Sequence, residues 1–119
     1  MSIEKILVVD DDELSRAYLS EALQRDGYSV DNACDGQEAV GLTDNQNYDM
    51  LFLDMRMPRM GGMEVLEKVK KTSKETTVII MTAYGSIETA VEAMRKGAYD
   101  YIIKPFSPEN IELLLKRVQ

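Results

Sequence analysis

Met50-Leu51-Phe52-Leu53-Asp54-Met55-Arg56-Met57-Pro58 is the stretch that decides the fold. Four consecutive large apolar residues leave no polar face, so they read as a strand covered on both sides. Asp54 ends the run, and a carboxylate where a buried strand stops is held at a sheet edge, facing the crevice there. Three other runs end in chemistry as well. Asp10-Asp11-Asp12 follow Ile6-Leu7-Val8-Val9, Thr82 follows Val78-Ile79-Ile80-Met81, and Lys104 follows Tyr101-Ile102-Ile103 and precedes Pro105. Carboxylates at two strand ends, a hydroxyl at a third and an amine at a fourth suit a divalent cation and a phosphoryl group.

Working outward, short apolar runs at about 4–9, 28–33, 49–53, 77–82 and 99–103 predict five strands. Tyr28-Ser29-Val30-Asp31-Asn32-Ala33 alternates, as an edge strand does. Helical spacing fills every gap. Leu14, Ala17, Tyr18, Leu19 and Leu23 mark the first helix, with Gly27 as its stop. Asp35 and Glu38 form an acidic capping box for the second, and Gly61-Gly62 leads into a third built on Val65, Leu66 and Val69. Ser86 caps a fourth whose Ile87, Ala90, Val91 and Met94 share a stripe ending at Gly97. Ser107-Pro108 starts the fifth, with Ile111, Leu114, Leu115 and Val118. Strict strand–helix alternation predicts one doubly wound α/β domain over residues 1–119, a flavodoxin-like parallel sheet with five helices on both faces. The commonest order, 2-1-3-4-5 or a close relative, makes strands one and three neighbours at the topological switch point. Asp10, Asp11 and Asp54 then converge, flanked by Thr82 and Lys104.

The totals narrow the function. The chain has 119 residues, enough for one core, and 45% hydrophobic residues. A net charge of −7 argues against direct binding to nucleic acid or an anionic membrane. With no histidine, His-based catalysis and His-ligated metals are excluded. Cys34 is the only cysteine, which rules out an intrachain disulfide and predicts a buried thiol. The first residues lack a signal-peptide core, and no run reaches the ~18 apolar residues of a membrane span, so a cytoplasmic location is expected.

Three clustered carboxylates repel one another, and a hard cation relieves them. Mg²⁺, with Mn²⁺ as a substitute, prefers oxygen ligands in an octahedron. The reading assigns Asp11 and Asp54 as direct ligands, Asp10 as a ligand through water and the Arg56 main-chain carbonyl as a further ligand, leaving Asp12 to cap the first helix. Asp54 is also a candidate nucleophile toward phosphorus, forming an acyl phosphate. The cation and Lys104 would then neutralise the equatorial oxygens. The Thr82 hydroxyl would bond one of those oxygens. Lys104-Pro105 is a candidate cis peptide.

These residues resemble a family. Ile6 to Asp12, Leu53 to Pro58 with Gly61-Gly62, Met81-Thr82-Ala83, and Asp100 to Phe106 resemble the receiver (phosphoacceptor) domain of two-component response regulators over the whole chain. The resemblance implies Mg²⁺-dependent transfer from a sensor histidine kinase to Asp54, with Asp10 and Asp11 as the acidic pair. It also implies Thr82 and Tyr101 as switch residues and Lys104 as the phosphoryl-contacting lysine. The surface of the fourth helix, fifth strand and fifth helix then changes, and Ile87, Val91, Arg95, Lys96 and Arg117 are candidates for a homodimer face there. Thr82 to Val91 and Gly97 to Tyr101 look most like nitrogen-regulatory-protein-C-type activators working with sigma-54. In those, an AAA+ ATPase and a DNA-binding domain follow the receiver. The 119 residues read either as an excised receiver, whose remainder would carry a transcriptional output, or as a stand-alone one. Arg56 and Tyr84 are expected to overhang the phosphoryl group and set its lifetime.

Three other readings share some of these residues. A haloacid-dehalogenase-type Mg²⁺ phosphatase would use Asp10 as nucleophile, but the chain has no cap segment and Asp100 lacks an acidic neighbour. A flavin or nucleotide module would need a Ser/Thr/Gly-rich loop where three aspartates stand. A phosphorylation-independent interaction module would keep the fold without its chemistry.

Overall fold

The computed structural model describes residues 3–83 and 87–119. Its elements alternate as β1 (Lys5–Val9), α1 (Glu13–Arg25), β2 (Ser29–Ala33), α2 (Gly36–Asn45), β3 (Met50–Asp54), α3 (Gly62–Thr72), β4 (Thr77–Thr82), α4 (Ile87–Arg95), β5 (Asp100–Ile103) and α5 (Pro108–Val118). The strands form one parallel sheet in the order β2-β1-β3-β4-β5. The expected fold class and strand order are both present, and the alternating second strand is an edge.

Side chains along each strand point alternately to two cores. Leu51, Leu53, Val78 and Ile80 face α2, α3 and α4 through Ala39, Val65, Leu66, Val69 and Ala93. Met50, Phe52, Ile79 and Met81 face α1 and α5 through Leu19, Leu23, Ile111, Leu114 and Leu115. All of β3 is buried, as a central strand in a two-layered cover must be.

Local chemistry sets the helix ends. The Asp12 side chain accepts from the Ser15 N–H and caps α1, the role expected for it. Asp35 caps α2 by accepting from the Glu38 N–H, while Glu38 reaches back to the N–H of Cys34 rather than of Asp35. Ser107 and Asn110 close a reciprocal capping box on α5, with Pro108 opening the helix. Gly27 and Gly97, at φ 96° and 110°, supply the left-handed turns after α1 and α4. The expected Ser86 cap lies outside the described residues.

Two expectations are corrected, and the α4 stripe, left between core and dimer face, divides into a buried and an exposed side. Cys34 is exposed, because it stands in the turn between the last residue of β2 and the Asp35 cap. Leu14 and Tyr18 of the α1 stripe are exposed, at 81% and 44%, while Leu19 and Leu23 of that stripe are buried as expected, together with Ser20 and Ala22. The α4 stripe is divided likewise. Ala90 and Ala93 are its buried face, whereas Ile87, Val91 and Met94 stand in solvent. Alanines let α4 lie close to the sheet and leave the longer side chains outside.

Candidate functional site

The carboxyl ends of β1, β3 and β5 bring the site together. One carboxylate oxygen from each of Asp10, Asp11 and Asp54 lies within 4.8 Å of the others. Asp10 is fully buried, Asp54 is 7% exposed, and Asp11 is exposed. Lys104 Nζ reaches across from the far edge, 2.7 Å from Asp10 Oδ2 and 3.4 Å from Asp54 Oδ2. The Lys104-Pro105 bond is cis, as proposed from the sequence.

Strand parity explains the encounter. Asp10 follows the phase of Ile6 and Val8, Asp54 that of Met50 and Phe52, and Lys104 that of Ile102, all on the α1/α5 side of the sheet. Thr82 follows Val78 and Ile80 to the other side, where Tyr101 packs half-buried against that core. The Thr82 hydroxyl donates to the neighbouring Ala83 carbonyl at 3.3 Å. The Thr82 hydroxyl is therefore bonded away from the acids, and Tyr101 packs against the core on that same side. Arg56 is exposed and donates its N–H to Asp54 Oδ1 at 3.1 Å. Tyr84 lies outside the described residues.

The loop after β3 is held by close approach. The Gly62 N–H donates to the Met55 carbonyl at 3.3 Å. A Cβ on Gly62 would sit 2.5 Å from the Asp54 carbonyl oxygen and 2.8 Å from Met55 Cα, so only glycine lets α3 start this near the acid. Met55, Met57, Met60 and Met63 pack against the α2/α3/α4 core, the packing role that polarizable, unbranched side chains fill well.

Electrostatics separates the two buried acids. Burial pushes the Asp54 carboxyl up to about 6, despite the opposing Arg56 N–H and Lys104 charge, and Asp10 adds to the rise. Burial also disfavours ionised Asp10, but the Lys104 hydrogen bond and the Asp12 N–H outweigh it and hold that carboxyl below the usual range. For Lys104, burial opposes the ammonium, yet bonds and charge from Asp10 and Asp54 raise its pKa. Asp54 is thus the more basic oxygen nucleophile, next to a neighbour that ionises at lower pH. The donor set is three carboxylates with no sulfur or nitrogen, which fits a hard divalent cation.

One contributor carries no signal in the sequence pattern. Arg16, on the first turn of α1, donates from Nη1 to the Asp10 main-chain carbonyl at 2.7 Å. Its position six residues after Asp10 is the only cue, and a bond to a backbone oxygen constrains no partner residue type.

With this geometry established, the comparisons with known proteins are decisive. Residues 6–116 match the family described as the response regulator receiver domain. The chain belongs to that family. Among curated relatives, the receiver is 40% identical over 116 residues to regulatory protein AtoC of Escherichia coli, covering 98% of this chain and 25% of AtoC. Among solved structures it superposes on NtrX from Brucella abortus with a TM-score of 0.93 at 34% identity, covering 98% of this chain and 26% of that one. Chemotaxis protein CheY4 of Vibrio cholerae gives a TM-score of 0.91 at 34% identity, covering 99% of the receiver and 100% of CheY4. The receiver is therefore similar to a chain of its own size and to quarter-length portions of longer regulators. Membership in this signalling family decides against the phosphatase reading.

Proposed function

We propose that residues 1–119 form a phosphoacceptor switch in which Asp54 takes a phosphoryl group from a phosphohistidine on a sensor histidine kinase. The supporting observation is the meeting of Asp10, Asp11 and Asp54 within 4.8 Å, with Lys104 bridging Asp10 and Asp54. Asp54 attacks phosphorus, its carboxylate oxygen bonds to phosphorus, and the P–N bond to the departing imidazole breaks. Asp10, Asp11, Asp54 and the Arg56 carbonyl would hold Mg²⁺, which when bound neutralises charge on the phosphoryl oxygens. Lys104 shares that work. The domain's own chemistry is confined to its phosphorylation and the later hydrolysis of its acyl phosphate.

The phosphoryl group brings about −1.5 to −2 charges and three strong acceptors. The Thr82 hydroxyl can exchange the Ala83 carbonyl for one of them, shifting the balance between two loop arrangements that Tyr101 senses. The surface affected carries exposed Ile87, Val91 and Tyr99. Exposed Ile103 and Leu113 line a groove of about 430 Å³ between β5 and α5. We assign this face, with Arg95, Lys96 and Arg117, to homodimerisation. Among the described residues no helix is long and apolar enough to cross a membrane. The reading puts this domain in the cytoplasm, where it would meet the kinase. AtoC and NtrX, about four times as long as this chain, support an output segment beyond the receiver, and the resemblance of the sequence assigns it a transcriptional role with sigma-54.

Incubating the protein with acetyl phosphate and Mg²⁺, then measuring intact mass and light scattering, tests both parts. A Mg²⁺-dependent adduct with a shift toward dimer is expected. No adduct with or without Mg²⁺ would reduce the domain to a binding module. Arg56 and Tyr84 are assigned to lifetime: replacing both with serine should speed loss of the adduct, and an unchanged decay rate would remove them from that role.

A further inference from the structure

Asp10 is tied at every polar atom of its backbone and side chain. Its N–H donates to the Ala33 carbonyl at 3.1 Å, Oδ1 accepts from the Asp12 N–H at 2.9 Å, and Oδ2 accepts from Lys104. The remaining group, the main-chain carbonyl, takes Arg16 Nη1 at 2.7 Å. That carbonyl belongs to the peptide joining Asp10 to Asp11, so its direction sets where the Asp11 Cα and carboxylate go. Among the described residues the Asp11 side chain has no hydrogen bond of its own. Its closeness to Asp10 and Asp54 therefore rests on the backbone beneath it.

Arg16 is well placed to hold that backbone. It is half-buried on the first turn of α1, and its own N–H donates to the Asp12 carbonyl at 3.0 Å. Backbone and side chain of one residue thus brace both ends of the Asp10–Asp12 turn. A guanidinium suits a fixed, charge-assisted bond to a carbonyl better than a flexible neutral donor would.

We propose that Arg16 is a positioning residue that fixes the Asp10–Asp11 peptide so that both carboxylates face Asp54 and bind a divalent cation together. This rests on the cation-binding reading of the acid cluster. The sign of the effect separates positioning from simple charge. A guanidinium near a cation site repels the cation, so removing it for electrostatic reasons alone would tighten binding. Removing a brace loosens it, and loss of a partner that orients metal ligands costs roughly tenfold or more in affinity.

The test is a Mg²⁺ titration followed by amide chemical shifts, on wild type, Arg16→Lys and Arg16→Ala. Thermal unfolding is run alongside, and Arg16→Met keeps the apolar stem should the alanine protein fail to fold. The dissociation constant should rise about tenfold in the alanine or methionine protein, with lysine recovering most of the loss. Unchanged or tighter binding in the folded variants overturns the proposal, as does a lysine variant no better than alanine. Absence of any Mg²⁺ response in wild type would instead sink the cation site itself, and this inference with it.

Discussion

Asp54→Asn should abolish the phosphoryl adduct and, without Mg²⁺, raise the melting temperature at neutral pH. The first effect follows from removing the attacking oxygen anion. The second follows from burial. The folded-state pKa of about 6 lies above the ordinary 3.8, so between those values the folded chain binds a proton that the unfolded chain has released. Stability contributed by this group therefore falls as pH rises through that window and remains low above it. Asparagine cannot ionise and escapes the loss, a gain of about 1–3 kcal/mol at pH 7 that vanishes below pH 3.8. Melting curves from pH 3 to pH 8 check it. Adding Mg²⁺ should stabilise wild type and narrow or reverse the difference. A variant that melts lower at every pH would show that Asp54 is held by its partners rather than strained by them.

Lys104→Met should be damaging in the opposite sense. It leaves fully buried Asp10 without its 2.7 Å ammonium and Asp54 with a charged neighbour. Breaking a buried pair from one side costs about 3–5 kcal/mol. Because the Asp10 pKa is lowered, its contribution is present above 3.8 and is lost as pH falls through the folded value. The raised Lys104 value keeps the pair intact below 10.5 and ends it only as pH climbs through the folded-state pKa. The gap between variant and wild type should thus be widest near neutrality and close in acid. Mg²⁺ should restore more stability to the variant than to wild type. Phosphoryl uptake from acetyl phosphate should still fall about a hundredfold, since a preorganised positive group at the equatorial oxygens is gone. Urea unfolding with and without Mg²⁺, beside the rate of adduct formation, measures both. Full activity in a stable variant would remove Lys104 from the chemistry.

Much of this architecture is legible in the chain itself. Val9-Asp10 and Leu53-Asp54 mark strand ends because an acid cannot continue a run buried on both faces. Alternation with helices leaves few sheet orders, and the observed one places those acids side by side. Periodicity fails elsewhere for a definite reason. It finds an apolar stripe but not what covers it, so Leu14 shares the α1 pattern yet stands outside, and Ile87 and Val91 fit a core or a dimer face equally until their exposure is seen. Cys34 misleads similarly, because its exposure depends on a turn and not on residue type. The Arg16 bond to a main-chain oxygen has no partner side chain to signal it. That Thr82 faces the opposite core from Asp54 emerges only once the strands are in register.

The two-core sheet also limits how such a gene can change length. Inserting or deleting one codon inside β3 would rotate every later side chain by half a pleat repeat, carrying Asp54 away from Asp10 and Lys104 to the α3 side. A two-codon change keeps the side but moves the carboxylate about 7 Å along the strand, beyond reach of both. The turn at 73–76, at the other end of the sheet, bears no such constraint on the acids. Natural length variation among relatives should therefore collect there, while β3 keeps its count.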